Sequence, residues 1–140
     1  MHSSLLAKSK HNIYGTLTLE QHLIDTAVAA EAIFRDRILK NWCRFFRLSN
    51  SEEFLLHLKI AALFHDLGKA NADFYNMVQG SCKQQSLRHE WLSALILHLP
   101  AVQAWLRTSP IQPDVVTAAV LCHHLQSRAK EWAQTRVSRQ

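Results

Sequence analysis

The chain has 140 residues, 48% of them apolar and 19% charged, and its 16 Lys and Arg against 11 acids give a formal net charge of +5. That composition excludes a disordered chain and suffices for one hydrophobic core, so residues 1–140 are expected to form a single domain. No apolar run is long enough to cross a bilayer and Met1–Lys10 lacks the apolar core of a signal peptide, so a soluble, cytoplasmic-type protein with no membrane partner is expected.

Only 3 Gly and 3 Pro interrupt the chain, which favours helices. Thr18 and Gln21 have the capping-box pattern and open a predicted helix running to about Leu39, with Leu19, Leu23, Ala27, Ala30 and Phe34 on one stripe. Ser49 with Glu52 opens a second, which ends at His65 and Asp66. Gly68 breaks that helix, and Asn71 is placed to cap a short one through Val78, closed by Gly80. A further helix spans roughly Leu87 to Leu99 and stops at Pro100, and Pro113 starts another that carries Val115, Val116, Ala119 and Val120 toward His123 and His124. Lys10 to Thr16, Gly80 to Ser86 and Thr108 to Gln112 are read as loops. No run alternates as a strand would, so the fold class is all-α, a compact helical bundle. Cys43, Cys82 and Cys122 are widely spaced and lack a CxxC pair, and are read as reduced thiols.

The basic excess is clustered. Arg35, Arg37, Lys40, Arg44 and Arg47 fall in one stretch and Arg128, Lys130, Arg136 and Arg139 in another. Such clusters suit a polyanion, and Trp42, Phe45 and Phe46 offer stacking faces to bases. Taken singly, each cluster reads more simply as a solvated helix face with its aromatics turned inward.

The most informative residues are His65 and Asp66. They follow Leu55, Leu56, Leu58, Ile60, Ala61, Ala62, Leu63 and Phe64, a run with so little polar face that its helix must be buried on most sides and must carry the carboxylate into the interior. A buried carboxylate is tolerated where a cation or strong donors meet it, and His65 offers an imidazole to the same cation. Three further helices bring imidazoles to core-facing or core-flanking positions. His22 shares a face with Thr26, Ala29 and Ile33, His89 one with Leu92, Ser93 and Ile96, and His123 and His124 follow Ala119 and Val120. A bundle can converge these on one interior site, and imidazoles with a carboxylate suit Mn, Fe, Ni or Co, with Mg also possible. His2, His11, His57 and His98 have no comparable setting.

His22, His65 with Asp66, Gly68 with Lys69, His89, and His123 with His124 resemble the ordered motifs of the HD-domain metal-dependent phosphohydrolase superfamily. Within it, His65-Asp66-Leu67-Gly68-Lys69-Ala70-Asn71 followed by Phe74, and Arg88-His89-Glu90 before Ser93, are most similar to the HD nuclease of type I CRISPR interference systems. The resemblance covers about Leu19 to Leu125. It implies His22, His65 and Asp66 as ligands of a first metal, Asp66 as a bridge, and His89, His123 and His124 as ligands of a second. It also implies cleavage of single-stranded DNA in antiviral defence, with a helicase or guide-RNA effector complex as partner. Lys69, one turn beyond His65, is placed to contact a phosphate oxygen or the leaving group. One departure is plain: the superfamily supplies a further Asp after the double histidine, whereas no Asp follows Asp114 and Glu131 is the one later carboxylate. A C-terminally shortened domain is the favoured explanation, with completion of the first site by water or Glu131, or a weak first site, as the alternatives. Hydrolysis of nucleotides or cyclic nucleotides, and a catalytically weak docking module, are the competing functions.

Overall fold

A computed structural model of the chain describes residues 5–8 and 15–124. Among the described residues the structure has seven α-helices and no strand: α1 (Leu19–Ile33), α2 (Asp36–Phe46), α3 (Ser51–Phe64), α4 (Ala72–Val78), α5 (His89–Leu97), α6 (Pro100–Leu106) and α7 (Pro113–Cys122). The all-helical expectation holds. Part of the predicted loop Lys10 to Thr16, the basic cluster from Arg128 to Arg139 and Glu131 lie outside the described residues.

Two boundaries differ from expectation. The predicted helix to Leu39 is two helices, because the chain leaves helical geometry at Phe34 and Arg35 and turns through a left-handed φ of 43° at Asp36, where α2 begins. Phe34 turns inward against Trp42 and Phe54, with ring centroids 5.1 and 5.4 Å away, and this aromatic contact pins the break. Pro100 does end the preceding helix, but it also occupies the first turn of α6, where its missing N–H costs nothing. Caps otherwise follow the sequence closely. Thr18 Oγ1 accepts from the Gln21 N–H and Asn71 Oδ1 from the Phe74 N–H; at α3 the cap is Asn50, which accepts from Glu52 and Glu53, rather than Ser49.

The main core lies where α3, α5, α6 and α7 meet, built on Ala61, Leu97, Leu106, Val116 and Val120. Leu97, Leu106, Val116 and Val120 are completely buried, each contributing about 1.5–3 kcal/mol of transfer free energy. His57 ties α3 to the entry of α7: its Nδ1–H donates to the Glu53 carbonyl, and its Nε2 accepts from the Gln112 N–H at 2.7 Å. His57 is thus a core histidine with both ring nitrogens satisfied. A second cluster joins Ala7 to Leu19 and Leu23, with Leu17 and Leu67 packed against it, so residues 5–8 cover the start of α1 and the turn after α3. The basic stretch is a correction. α2 contributes no buried residue, and Trp42, Phe45 and Phe46 are exposed rather than turned inward.

Candidate metal centre

α3 ends at Phe64, and the next two residues leave it at the junction of α1, α5 and α7. A tight turn, Leu67–Lys69, then brings Gly68 under α5. A β-carbon at Gly68 would lie 2.7 Å from the Ser93 N and closer still to the His89 carbonyl oxygen, so only glycine permits this approach. The expectation that Gly68 breaks the helix is corrected: α3 ends four residues earlier, and Gly68, whose φ is not positive, lies within the turn and serves this close packing. Ser93 fastens the junction: its Oγ accepts from the Gly68 N–H at 2.8 Å and donates to the His65 carbonyl at 3.0 Å.

Asp66, 3% exposed, stands at the centre. Its two oxygens face different partners. Oδ2 meets His22 Nε2 at 2.9 Å, His65 Nε2 at 3.3 Å and Lys69 Nζ at 2.6 Å. Oδ1 meets His89 Nε2 at 3.1 Å and His123 Nε2 at 3.5 Å, and His124 Nε2 lies 3.1 Å from His89 Nε2. All the histidines singled out in the sequence are therefore brought together, in two groups that share Asp66: His22, His65 and Asp66, and Asp66, His89, His123 and His124. Lys69 lies against the carboxylate with 14% of its side chain exposed, so it is not a surface lysine.

Backbone carbonyls set the tautomers. His65 Nδ1 lies 2.7 Å from the Ala62 carbonyl and His123 Nδ1 2.6 Å from that of Val120. A carbonyl only accepts, so each Nδ1 carries a proton, and in the neutral ring, the form that binds a metal, Nε2 turns its lone pair toward Asp66. The residues fit a metal ion on that ground. Asp66 Oδ1 and His123 Nε2 are both buried and lack a hydrogen-bond partner, a costly pairing of acceptors that a divalent cation would satisfy. Neutral imidazoles with one carboxylate are a donor set for first-row transition ions, though they do not select one.

Electrostatics keep the donors ready. Burial pushes the Asp66 carboxyl up, but His123, His65, His89 and Lys69 together outweigh it and hold the group far below the usual carboxylate range. Burial draws the His123 imidazole down, and the facing Asp66 carboxylate with the Val120 carbonyl more than offsets this, leaving it above 6.5. Burial together with the nearby His123 and His89 places His124 below 6.5.

Sequence reasoning assigned no part to Glu90 or to the two hydrogen bonds made by Ser93. Glu90, with its side chain 3% exposed, pairs with Arg88 Nε and brings Oε2 to 3.7 Å from His89 Nδ1, behind the face that His89 turns to Asp66. An acid in the first turn of a helix reads as a dipole partner, so only its neighbours in the Arg88-His89-Glu90 triplet hinted at more. An open cleft of about 220 Å³, lined by Gln85, Arg88, His89, Glu90 and His124, leads to the centre. The larger cavities beside His57 and beside Leu19 lie away from these donors and carry no comparable chemistry.

Comparison with curated proteins and with solved structures gives no match. A family model described as the HD domain of Cas3 matches residues 6–140, nearly the whole sequence and every donor named above. The chain therefore belongs to the family of Cas3 HD domains, metal-dependent nuclease domains of type I CRISPR systems.

Proposed function

We propose that the protein cleaves phosphodiester bonds of single-stranded DNA in CRISPR interference, working with a helicase or a guide-RNA effector complex. The observation that carries this reading is the division of one buried carboxylate, with Oδ2 facing His22 and His65 and Oδ1 facing His89 and His123. On this reading His22, His65 and Asp66 would hold one divalent ion, and Asp66, His89, His123 and His124 a second. When bound, such ions lower the pKa of water and offset negative charge on a phosphate.

The chain's own groups do the rest. Asp66 stays ionised at every physiological pH because its depressed pKa keeps it so. The Ala62 and Val120 carbonyls aim the His65 and His123 lone pairs inward. Lys69 offsets part of the Asp66 charge, and its ammonium would contact an incoming phosphate oxygen or the leaving group. Arg88, half exposed at the cleft mouth and tied at Nε to Glu90, offers its remaining N–H groups to the backbone of the strand. Hydrolysis of free nucleotides calls for an enclosed base pocket, whereas the cleft at these donors is open among the described residues.

Incubation of circular single-stranded DNA with the purified protein and Mn²⁺, Ni²⁺ or Co²⁺ is expected to degrade the DNA. Chelator or Asp66→Ala is expected to abolish that degradation. DNA left intact with every metal, or cut equally well by Asp66→Ala, overturns the proposal. Turnover of mononucleotides without polymer cleavage points to the small-nucleotide reaction in its place.

A further inference from the structure

We infer that the apolar face of α2 docks a protein partner that presents an apolar groove rimmed by acidic side chains. The inference rests on the reading of the chain as a partnered nuclease, and it assigns a surface to that partnership. α2 meets its own domain through Phe34, which bridges Trp42 and Phe54, and through the half-buried Leu39 and Cys43, and it buries no residue fully. Ile38, Trp42, Phe45 and Phe46 recur at i, i+4, i+7 and i+8 and are 53%, 41%, 79% and 51% exposed. That spacing is the anchor pattern of a helix laid into a groove. Phe46 lies 4.9 Å from both Trp42 and Phe45, centroid to centroid, so the anchors form one continuous ridge.

Charge selects the occupant. Arg37, Lys40 and Arg44 lie on the opposite side of the helix from that ridge, and with the flanking Arg35 and Arg47 they set five cations against the single acid Asp36. Acidic side chains around such a groove attract these cations at long range and steer the encounter without having to touch them. Single-stranded nucleic acid fits less well, because it needs phosphate-binding cations interleaved with the stacking rings, and here the two are segregated. The surface is also remote from the metal donors. Phe54, beneath α2, precedes His65 by eleven residues of α3, about 16 Å along the helix, so a partner seated on α2 leaves the cleft open.

The test uses the purified protein with the purified helicase of the same system and, separately, its guide-RNA effector complex. One of the two is expected to bind, and Phe45→Glu and Ile38→Glu are each expected to weaken binding at least tenfold. Arg44→Glu is expected to weaken it and to reduce its salt dependence. Circular dichroism and cleavage of free single-stranded DNA by the protein alone are expected to be unchanged in all three. The inference is overturned if neither partner binds or if these substitutions leave binding intact. It is equally overturned if they act instead on DNA affinity, self-association or attachment to anionic vesicles. The nuclease reading fails separately, if the unaltered protein cuts no DNA while partner binding still responds to Phe45→Glu.

Discussion

Asp66 is the residue on which the molecule turns, because one carboxylate is asked to serve two groups of imidazoles from a position that is almost fully buried. Its depressed pKa means that, without metal, its stabilising contribution is present above the ordinary value of 3.8 and lost as pH falls through the depressed one. His123 has the opposite sign. Its folded pKa is raised, so its contribution is full below 6.5 and is lost as pH rises through the raised value. Metal reverses that trend, because an ion displaces the proton from His123 Nε2 and affinity therefore grows with pH over the same window. His124, whose folded pKa is lowered, contributes with the opposite sign, so thermal denaturation across the histidine range is expected to show the metal-free protein losing, as pH rises, stability that a His123→Ala variant does not lose. The stabilisation from added Mn²⁺ is expected to grow, reaching about 2.7 kcal/mol at a hundredfold excess over Kd. Stabilisation by Mn²⁺ that is independent of pH would contradict the assignment of His123 as a ligand. The residues of this centre were legible in the sequence because each sets a polar group in or beside an apolar stripe. Glu90 was not, since an acid in a first helical turn is ordinary until packing buries it.

At the scale of elements, the centre depends on how closely the turn after α3 approaches α5. Gly68 and Ser93 make that approach possible, one by lacking a side chain and the other by satisfying the Gly68 N–H and the His65 carbonyl. Gly68→Ala is expected to push α5 and His89 outward, costing about 1–3 kcal/mol or more of stability and weakening metal binding. Calorimetry and metal titration check this, and an unchanged melting temperature would show that α5 yields without strain. Helix existence was legible wherever caps and apolar periodicity agreed, as at Thr18, Asn71 and Pro113. The break between α1 and α2 was hidden because Arg35-Asp36-Arg37 carries neither Gly nor Pro. Its cause, the turning of Phe34 against Trp42 and Phe54, is a tertiary contact. Pro100 was ambiguous for a related reason: proline both ends one helix and begins another.

Across the whole molecule, the core of α3, α5, α6 and α7 holds one wall of the centre rigid, while α1 and residues 5–8 close the other. The two donor groups are unequal. Among the described residues, Asp66, His89, His123 and His124 offer four donors, whereas His22, His65 and Asp66 offer three. The four-donor group should therefore fill first and hold its ion more tightly. The most direct measurement is anomalous scattering from crystals of the protein soaked in Mn²⁺. We expect a strong peak among Asp66, His89, His123 and His124, touching Asp66 Oδ1, with a weaker second peak on the His22 and His65 side at Oδ2. Absence of a peak in the four-donor group, or ions that make no contact with Asp66, would contradict the shared-carboxylate centre.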